Sequence, residues 1–138
     1  MIVLDASAAL EIARGSKTGQ AFLSFFLPEE EIIAPDLFAV EVSNAAWKYV
    51  HAGILSKQEG KHLREDALEL VDEICPTAKL LNEVFGQAVY LDHSVYDMVY
   101  LVLARRFDAT LVTSDKKLRR LCEENGVDCV YEVNLSHE

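Results

Sequence analysis

The sequence predicts an α/β fold in which helices cover a central parallel sheet. Short apolar segments typical of buried strands alternate with longer segments whose apolar residues recur at helical spacing. Strands separated by helices pair in parallel, because each connection has room to cross one face of the sheet. With 138 residues, of which 51% are hydrophobic, the chain has the size of one domain spanning residues 1–138. The predicted order is β-α-α-β-α-α-α-α-β-α-β.

The first predicted strand runs directly into a helix. Residues 1–4 are apolar, and Asp5 and Ser7 are both suitable N-cap residues for the helix that follows. Residues 16–27 predict a second helix. Residues 31–35 predict a second strand, which ends at a proline.

Two further helices are predicted from their boundary residues. Asp36 is expected to cap a long helix that stops at Gly53. Ser56 and Glu59 have the spacing of a capping box, so they open a fourth helix that continues to Val71.

The second half of the chain contains the most apolar helix pattern. Residues 77–89 predict one helix, and residues 95–104 predict another that is apolar on nearly every side, so we expect the latter to be central and buried. The remaining predictions are a strand over 109–113, a basic amphipathic helix over 116–125 and a closing strand over 128–133.

A single charge interrupts the predicted central helix. Asp97 is the only charged residue between positions 95 and 104. A carboxylate in apolar surroundings is costly unless a cation, a metal ion or hydrogen-bond donors compensate for it. The nearest basic residues along the chain, Arg105 and Arg106, are two helical turns away. We therefore expect Asp97 to have a partner from elsewhere.

Three more acidic residues occupy unusual positions. Asp5 and Asp115 each follow a predicted strand, so both emerge at one sheet edge if the two strands are neighbours. Glu41 lies on a helix face that is mainly apolar. Each has an ordinary alternative: Asp5 and Asp115 suit helix N-caps, and Glu41 suits a surface ion pair with Lys48 or Arg14.

A shared cation would account for all four acids together. Oxygen ligands without His or Cys spacing favour a hard ion such as Mg²⁺ or Mn²⁺ over zinc. Such an ion would bind phosphate and lower the pKa of a bound water, which suits phosphodiester hydrolysis. Hydroxyl and amide groups near the same edge would orient the ligands or a water, with capping and turn bonding as the alternative for each. These groups belong to Ser7, Asn44, Thr113 and Ser114.

Charge and cysteine content narrow the function classes. A net charge of −10 argues against a protein that coats nucleic acid by bulk charge. Residues 105–120 differ, with six basic and two acidic residues. The three cysteines have spacings unlike zinc or redox motifs, which suggests free thiols. The sequence has no signal-peptide pattern and no apolar run of membrane-spanning length, so we expect a soluble, cytoplasmic protein.

Four short segments resemble the acidic motifs of PIN-domain ribonucleases. They are Ile-Val-Leu-Asp-Ala-Ser around Asp5, Val-Glu-Val-Ser-Asn around Glu41, Ser-Val-Tyr-Asp-Met around Asp97 and Leu-Val-Thr-Ser-Asp-Lys-Lys-Leu around Asp115. Their order and spacing are similar to those of the VapC toxins of toxin–antitoxin pairs, over essentially the whole chain. The resemblance implies a PIN-like three-layer α/β/α sandwich with a central parallel sheet.

The resemblance also implies an activity and partners. Asp5 and Asp97 would be the main ligands of Mg²⁺ or Mn²⁺ for endonucleolytic RNA cleavage, with Glu41 and Asp115 completing the site. Proteins of this family commonly form homodimers, and a cognate antitoxin protein blocks the site.

The basic residues between 105 and 120 are a candidate approach for RNA. We expect Lys116 and Lys117 to lie nearest the acids, against the alternative that they form a solvated helix face.

Two other function classes remain open. One is a catalytically silent PIN-fold module that acts through a protein partner, with the acids serving as caps. The other is a phosphoaspartyl protein that uses Asp5, Thr113 and Lys116, but Ser7 stands where such proteins need a second acid. Glycine-rich phosphate-binding motifs do not occur in the sequence.

Overall fold

The computed structural model describes residues 1–131, within which five parallel strands form one sheet. The strands are β1 (Ile2–Leu4), β2 (Ile32–Pro35), β3 (Glu73–Cys75), β4 (Thr110–Val112) and β5 (Cys129–Val130). Their order across the sheet is β3-β2-β1-β4-β5, so β1 lies at the centre. It pairs with β4 in a register that places Leu4 opposite Val112. The two strands whose adjacency the acidic pattern requires are therefore neighbours.

Helices connect the strands and cover both faces of the sheet. Within the described residues they are α1 (Ala6–Arg14), α2 (Lys17–Phe25), α3 (Leu37–His51), α4 (Lys57–Glu69), α5 (Leu81–Leu91), α6 (Val95–Phe107) and α7 (Lys116–Glu124). None of these helices combines the length and the apolar character that crossing a membrane requires.

The sheet separates two hydrophobic cores. Along β1, Ile2 and Leu4 contribute to one core and Val3 to the other, because successive strand residues point to opposite faces. Side chains of α1 to α4 complete the core on the side of Leu4, and side chains of α5 to α7 complete the core on the side of Val3. This arrangement is the predicted three-layer sandwich.

The central helix predicted from residues 95–104 is confirmed as α6. Seven consecutive residues, 98–104, are buried in one core cluster. The helix begins at the carboxyl edge of the sheet, so Asp97 lies in its first turn near the ends of β1 and β4. Arg105 and Arg106 lie at the other end, where they bond Gln87 and Glu83. They therefore do not line an approach to the acids.

Two elements differ from the prediction. The edge strand β3 was not predicted, because its residues Glu73 and Ile74 are exposed and the segment is neither apolar nor regularly alternating. The helix predicted over 77–89 is instead a 3₁₀ turn, Thr77–Lys79, followed by α5. The last predicted strand is found only as β5, and its positions 132–133 lie outside the described residues.

The prediction that Asp36 caps α3 is wrong. Asp36 has helical backbone angles, and its side chain makes no capping hydrogen bond. Its carboxylate instead accepts hydrogen bonds from the backbone N–H of Thr77, at 3.2 Å, and from the Thr77 hydroxyl. A tertiary contact across 41 residues thus replaces the local cap. The capping box of Ser56 and Glu59 is present as predicted.

Candidate active site

The acidic residues lie where the chain reverses its direction across the sheet. From β1 the chain moves outward through β2 and β3, and it then returns to β4 on the other side of β1. Such a switch point leaves a crevice at the carboxyl ends of the two central strands, where α/β proteins bind ligands. Asp5 follows β1 directly, and Asp115 is three residues beyond the end of β4.

Asp5 is a buried carboxylate held by three donors. Only 5% of the residue is exposed, and its backbone position makes it the N-cap of α1. Its Oδ1 accepts hydrogen bonds from the Ala8 backbone N–H at 2.9 Å and from Ser7 Oγ at 2.7 Å, and its Oδ2 accepts one from the Thr113 hydroxyl. Burial raises the pKa of Asp5 to about 6, although the three donors act in the opposite direction.

Two hydroxyls connect Asp5 to the loop after β4. Thr113 Oγ1 also accepts a hydrogen bond from the Asp115 backbone N–H, at 2.9 Å. Ser7 Oγ accepts one from the Ser114 backbone N–H, at 3.0 Å. These bonds fix the start of α7 relative to the start of α1. Both hydroxyls therefore hydrogen-bond to Asp5, whereas Ser114 contributes its backbone N–H.

Asp115 is both an N-cap and a member of the acidic cluster. Its Oδ1 accepts a hydrogen bond from the Lys117 backbone N–H at 2.8 Å and a longer one from the next N–H of α7. The residue is exposed, so its carboxylate still faces solvent. Burial raises the pKa of both Glu41 and Asp97, and the negative charge of Asp115 adds to this rise. The capping alternative and the site prediction are thus compatible.

Glu41 enters the site from α3. It is half-buried, and its Oε1 accepts a hydrogen bond of 2.7 Å from the hydroxyl of Tyr100, a buried residue of α6. Burial raises the pKa of Glu41, and the charges of Asp97 and Asp115 act in the same direction, while the Tyr100 hydroxyl opposes them. Glu41 thus has no basic partner, and the surface ion pair with Lys48 or Arg14 is absent from the described residues.

Asp97 is less buried than the sequence pattern indicates. Its side chain is 24% exposed, and its Oδ2 lies 3.8 Å from Nδ1 of His93, in the loop that precedes α6. Burial raises the pKa of Asp97 and so does the charge of Asp115, whereas His93 and Lys117 lower it. His93 Nδ1 is buried and has no hydrogen-bond partner among residues 1–131.

The sequence analysis did not identify Tyr100 and His93 as site residues. His93 precedes Asp97 by four positions, and Tyr100 follows it by three. Tyr100 lies within α6 at a spacing that places it on the face of Asp97, which was a usable signal, whereas His93 lies in the loop before α6 and is near Asp97 only in sequence.

The remaining predicted residues are more peripheral. Asn44 is exposed, one turn beyond Glu41, and makes no hydrogen bond to the acids in the part of the chain that the structure describes. Lys116 and Lys117 are exposed at the start of α7, and only Lys117 is close enough to lower the pKa of Asp97.

The four acids form one electrostatic cluster, but in this conformation they are not a ready-made metal cage. Glu41 raises the pKa of Asp5, and Glu41, Asp97 and Asp115 are coupled as described above. No Lys or Arg forms an ion pair with any of them within residues 1–131. In the same range, no three acidic, His or Cys side chains are arranged closely enough to hold a metal ion.

The donor set nevertheless fits a hard divalent cation. Carboxylate and hydroxyl oxygens are the ligands that Mg²⁺ and Mn²⁺ prefer. Burial is the main cause of the raised pKa values of Asp5, Glu41 and Asp97, and repulsion from neighbouring acids adds to it. A cation would remove this repulsion, and modest movement of the exposed carboxylates would be needed to surround it.

The fold and the acidic cluster at the switch point define a class of protein. Comparison with known families identifies that class. Residues 2–124 match the model of the family described as PIN domain. The chain belongs to the PIN domain family.

Its relatives are proteins named as ribonucleases. Ribonuclease VapC12 of Mycobacterium tuberculosis is 34% identical over 121 residues, which cover 86% of this chain and 89% of the relative. Ribonuclease VapC1 of the same organism is 30% identical over 129 residues, covering 92% of each chain. Ribonuclease VapC3 of Pyrobaculum aerophilum is 28% identical over 119 residues, covering 85% of this chain and 91% of the relative.

Solved structures share the fold. The crystal structure of PAE2754 from Pyrobaculum aerophilum superposes with a TM-score of 0.71 at 24% identity, covering 94% of this chain and 83% of the other. Mycobacterium tuberculosis VapC20, described as a sarcin-ricin loop cleaving toxin, superposes with a TM-score of 0.65 at 14% identity. That comparison covers 88% of this chain and 95% of VapC20. At these identities the similarity supports the fold alone.

Proposed function

We propose that this chain is a metal-dependent endoribonuclease that hydrolyses RNA phosphodiester bonds, as the toxin of a type II toxin–antitoxin pair. The observation that carries the proposal is the meeting of Asp5, Glu41, Asp97 and Asp115 at the switch point of a PIN domain. The relatedness to proteins named Ribonuclease VapC supports RNA as the substrate class.

Asp5 and Asp97 would be the main ligands of Mg²⁺ or Mn²⁺, and Glu41 and Asp115 would complete the site. When bound, the ion would neutralise phosphate charge and lower the pKa of an attacking water. The chain's own groups prepare this site. Ser7 and Thr113 fix the orientation of the Asp5 carboxylate, and Tyr100 fixes that of Glu41.

Burial of these carboxylates would have a chemical purpose. A site with few competing charges and little water strengthens the interaction between the acids and a cation. Without a bound cation, burial disfavours the charged form of these carboxylates, so the pKa values of Asp5, Glu41 and Asp97 are all raised. This pattern, in which a group disfavours folding but serves the reaction, is typical of active sites.

RNA cleavage tests the proposal. Wild type should cleave a labelled RNA with Mg²⁺ or Mn²⁺, and a chelator should abolish cleavage. Asp97→Asn should lose at least about a hundredfold in rate, since it removes a charged ligand. Asp92→Asn is a matched control, because Asp92 is exposed and has left-handed backbone angles that asparagine adopts well. Equal cleavage by all forms, with and without chelator, would refute the mechanism.

The alternative is a silent PIN-fold module that acts through a protein partner. It is favoured by one observation, the lack of a preformed three-residue metal set within residues 1–131. The two functions differ in metal linkage: an active site gains stability with Mg²⁺ or Mn²⁺ by mass action, and a silent module does not.

We also propose that the chain forms a homodimer and binds a cognate antitoxin in the cytoplasm. An apolar face beside the site supports a protein interface. Val40, Leu81, Val95 and Tyr96 line a cleft of about 370 Å³, and the neighbouring Phe85 is 65% exposed. Phe85→Glu should therefore lower the apparent mass in sedimentation from dimer to monomer. An unchanged mass would exclude this face from the interface.

A further inference from the structure

A groove between α3 and α4 carries a concentration of positive charge in an acidic chain. Lys57, Lys61 and Arg64 follow each other at i, i+4 and i+7 along α4, so they form one stripe. All three border the groove, which has a volume of about 310 Å³. Glu59 and Asp66 point the other way and line a separate cleft against α1. The three basic side chains therefore share the side of α4 that faces the groove, and the exposed Glu65 lies beside this stripe, four residues after Lys61.

The basic groove also contains an exposed aromatic pair. Trp47 of α3 lines it and is 56% exposed, although tryptophan is usually largely covered in a folded domain. Its ring stacks on that of His51, with centroids 4.8 Å apart and an angle of 14° between the planes. Trp47 contributes to neither hydrophobic core. The pair presents a flat π surface to solvent beside the three cations.

The walls of the groove are held in place. Arg64 Nε donates a hydrogen bond of 2.7 Å to Ser43 Oγ, and this hydroxyl donates one of 2.7 Å to the backbone carbonyl of Ala39. Gly60 lets the helices approach closely, since a Cβ there would lie 2.3 Å from Cγ2 of Val50. The spacing of α3 and α4, and with it the position of the basic stripe relative to Trp47, is therefore fixed by packing.

The charges of the groove are available to a ligand. Within residues 1–131, no carboxylate forms an ion pair with Lys57, Lys61 or Arg64. Cations combined with an exposed aromatic platform are the features with which proteins hold single-stranded nucleic acid, through phosphate contacts and base stacking.

The groove and the acidic site share helix α3. Glu41 and Trp47 belong to the same helix, and six residues of α-helix correspond to about 9 Å along its axis. The exposed Asn44 lies between them. A few nucleotides on one side of a phosphodiester bond at Glu41 would reach the groove.

We propose that the α3–α4 groove binds the single-stranded RNA that flanks the cleaved bond, with a base stacked on Trp47 and phosphates paired with Lys57 and Lys61. The assignment rests on the proposed ribonuclease function, and it moves the principal RNA contact away from Lys116 and Lys117. It also explains how a chain with a net charge of −10 binds an anionic polymer: the binding charge is local.

Trp47 is the sole tryptophan of the chain, so its fluorescence is a direct probe of the groove. The experiment uses the full chain in chelating buffer, where cleavage does not interfere, and a labelled single-stranded oligoribonucleotide of about twelve nucleotides. RNA should quench the Trp47 emission as it binds. In anisotropy titrations, Trp47→Ala should bind roughly five- to a hundredfold more weakly, and Trp47→Phe should recover part of the loss.

The lysines are tested by salt dependence. Lys57→Ala with Lys61→Ala should weaken RNA binding and reduce the slope of log affinity against log salt by about 1.4, as expected for two lost phosphate contacts with a single strand. The control is Lys17→Ala with Lys79→Ala, which changes the net charge equally at exposed positions outside the groove. The control pair should retain most of the affinity.

The outcomes separate this inference from the proposed function. Unchanged Trp47 emission on RNA binding, or equal effects of the two lysine pairs, would overturn the groove assignment even if metal-dependent cleavage is intact. Absence of RNA binding in chelator would overturn it as well. Polyglutamate that quenches the Trp47 emission as strongly as RNA does, and competes with RNA equally well, would also overturn the groove assignment, in favour of an acidic protein partner. Loss of the proposed function would instead appear as absence of cleavage with Mg²⁺ or Mn²⁺.

Discussion

Replacing Asp5 with asparagine should stabilise the metal-free protein while destroying its activity. Asp5 has a pKa of about 6 in the folded chain against 3.8 without the fold, because burial disfavours its charge. A rise of this size corresponds to about 3 kcal/mol of folding free energy lost at neutral pH. Below pH 3.8 Asp5 is protonated in both the folded and the unfolded chain, and its contribution to the free energy of unfolding is fully present. This contribution is lost as the pH rises through about 6.

The neutral side chain of the asparagine in Asp5→Asn avoids most of the folding free energy that the buried carboxylate costs. The Asn Oδ1 can accept the hydrogen bonds that Ala8 and Ser7 now donate to Asp5, and the Thr113 hydroxyl can turn to accept from the amide. The weaker bonds cost about 1 kcal/mol. We therefore expect Asp5→Asn to raise the free energy of unfolding by about 2 kcal/mol at pH 7.5 and to lower it by up to about 1 kcal/mol at pH 3.5, where Asp5 is protonated and only the weaker bonds remain.

Urea denaturation in chelating buffer at several pH values measures the effect. Asp36→Asn is the matched control, since hydrogen bonds from Thr77 lower the pKa of Asp36. That variant should lose stability at neutral pH, and the loss should fade as the pH falls through the range where Asp36 is protonated. If Asp5→Asn is instead less stable than wild type at pH 7.5, or differs from it equally at every pH, Asp5 is a structural cap and the electrostatic reasoning is wrong.

Four other variants probe the site, the packing and the substrate approach. Tyr100→Phe removes the donor that lowers the pKa of Glu41, so the acid limb of the cleavage profile should move to higher pH; an unchanged profile would show that the hydroxyl plays no such role. Gly19→Ala should cost about 1–3 kcal/mol in urea denaturation, because its Cβ would lie 2.1 Å from a carbonyl oxygen of α1. Gly86→Ala on α5 meets open space and should instead add up to about 1 kcal/mol, so similar effects at the two positions would contradict the packing account. Lys116→Glu with Lys117→Glu should slow cleavage and flatten its salt dependence, and no change would leave these lysines without a role in RNA binding.

The local sequence pattern predicted the parts of the fold that depend on local physics. The strands β1 and β4 are short apolar runs, and residues 98–104 of α6 are all apolar and buried, so hydrophobic burial determines where these elements lie. The site prediction required β1 and β4 to be neighbours, and the structure shows that they pair.

Other features could not be predicted because they depend on contacts between distant segments. The edge strand β3 has exposed and charged residues, and it is a strand only because β2 pairs with it. Asp36 had the right residue type for a cap, but Thr77 competes for its carboxylate from 41 positions away. The bond between Tyr100 and Glu41 spans 59 residues. Spacing within α6 would have suggested Tyr100 as a neighbour of Asp97, but nothing local reveals that Tyr100 is the partner of Glu41.

The four acids differ in how deeply they are buried. The sequence suggested a bare carboxylate in a buried helix, but the structure places Asp97 partly in solvent and makes Asp5 the most buried of the four. The negative charge is therefore graded, from a deep Asp5 to an exposed Asp115. A cation entering from solvent would meet the movable carboxylates first and the fixed one last.

Titration of the protein with Mn²⁺ tests directly whether the four acids hold a cation. Electron paramagnetic resonance counts the free ion, and thermal unfolding in the same samples reports its linkage to stability. Wild type should bind Mn²⁺ and unfold at higher temperature as its concentration rises, while Asp97→Asn should bind it at least about tenfold more weakly and Asp92→Asn should behave as wild type. Equal binding by wild type and Asp97→Asn, or no binding by either, would contradict the account.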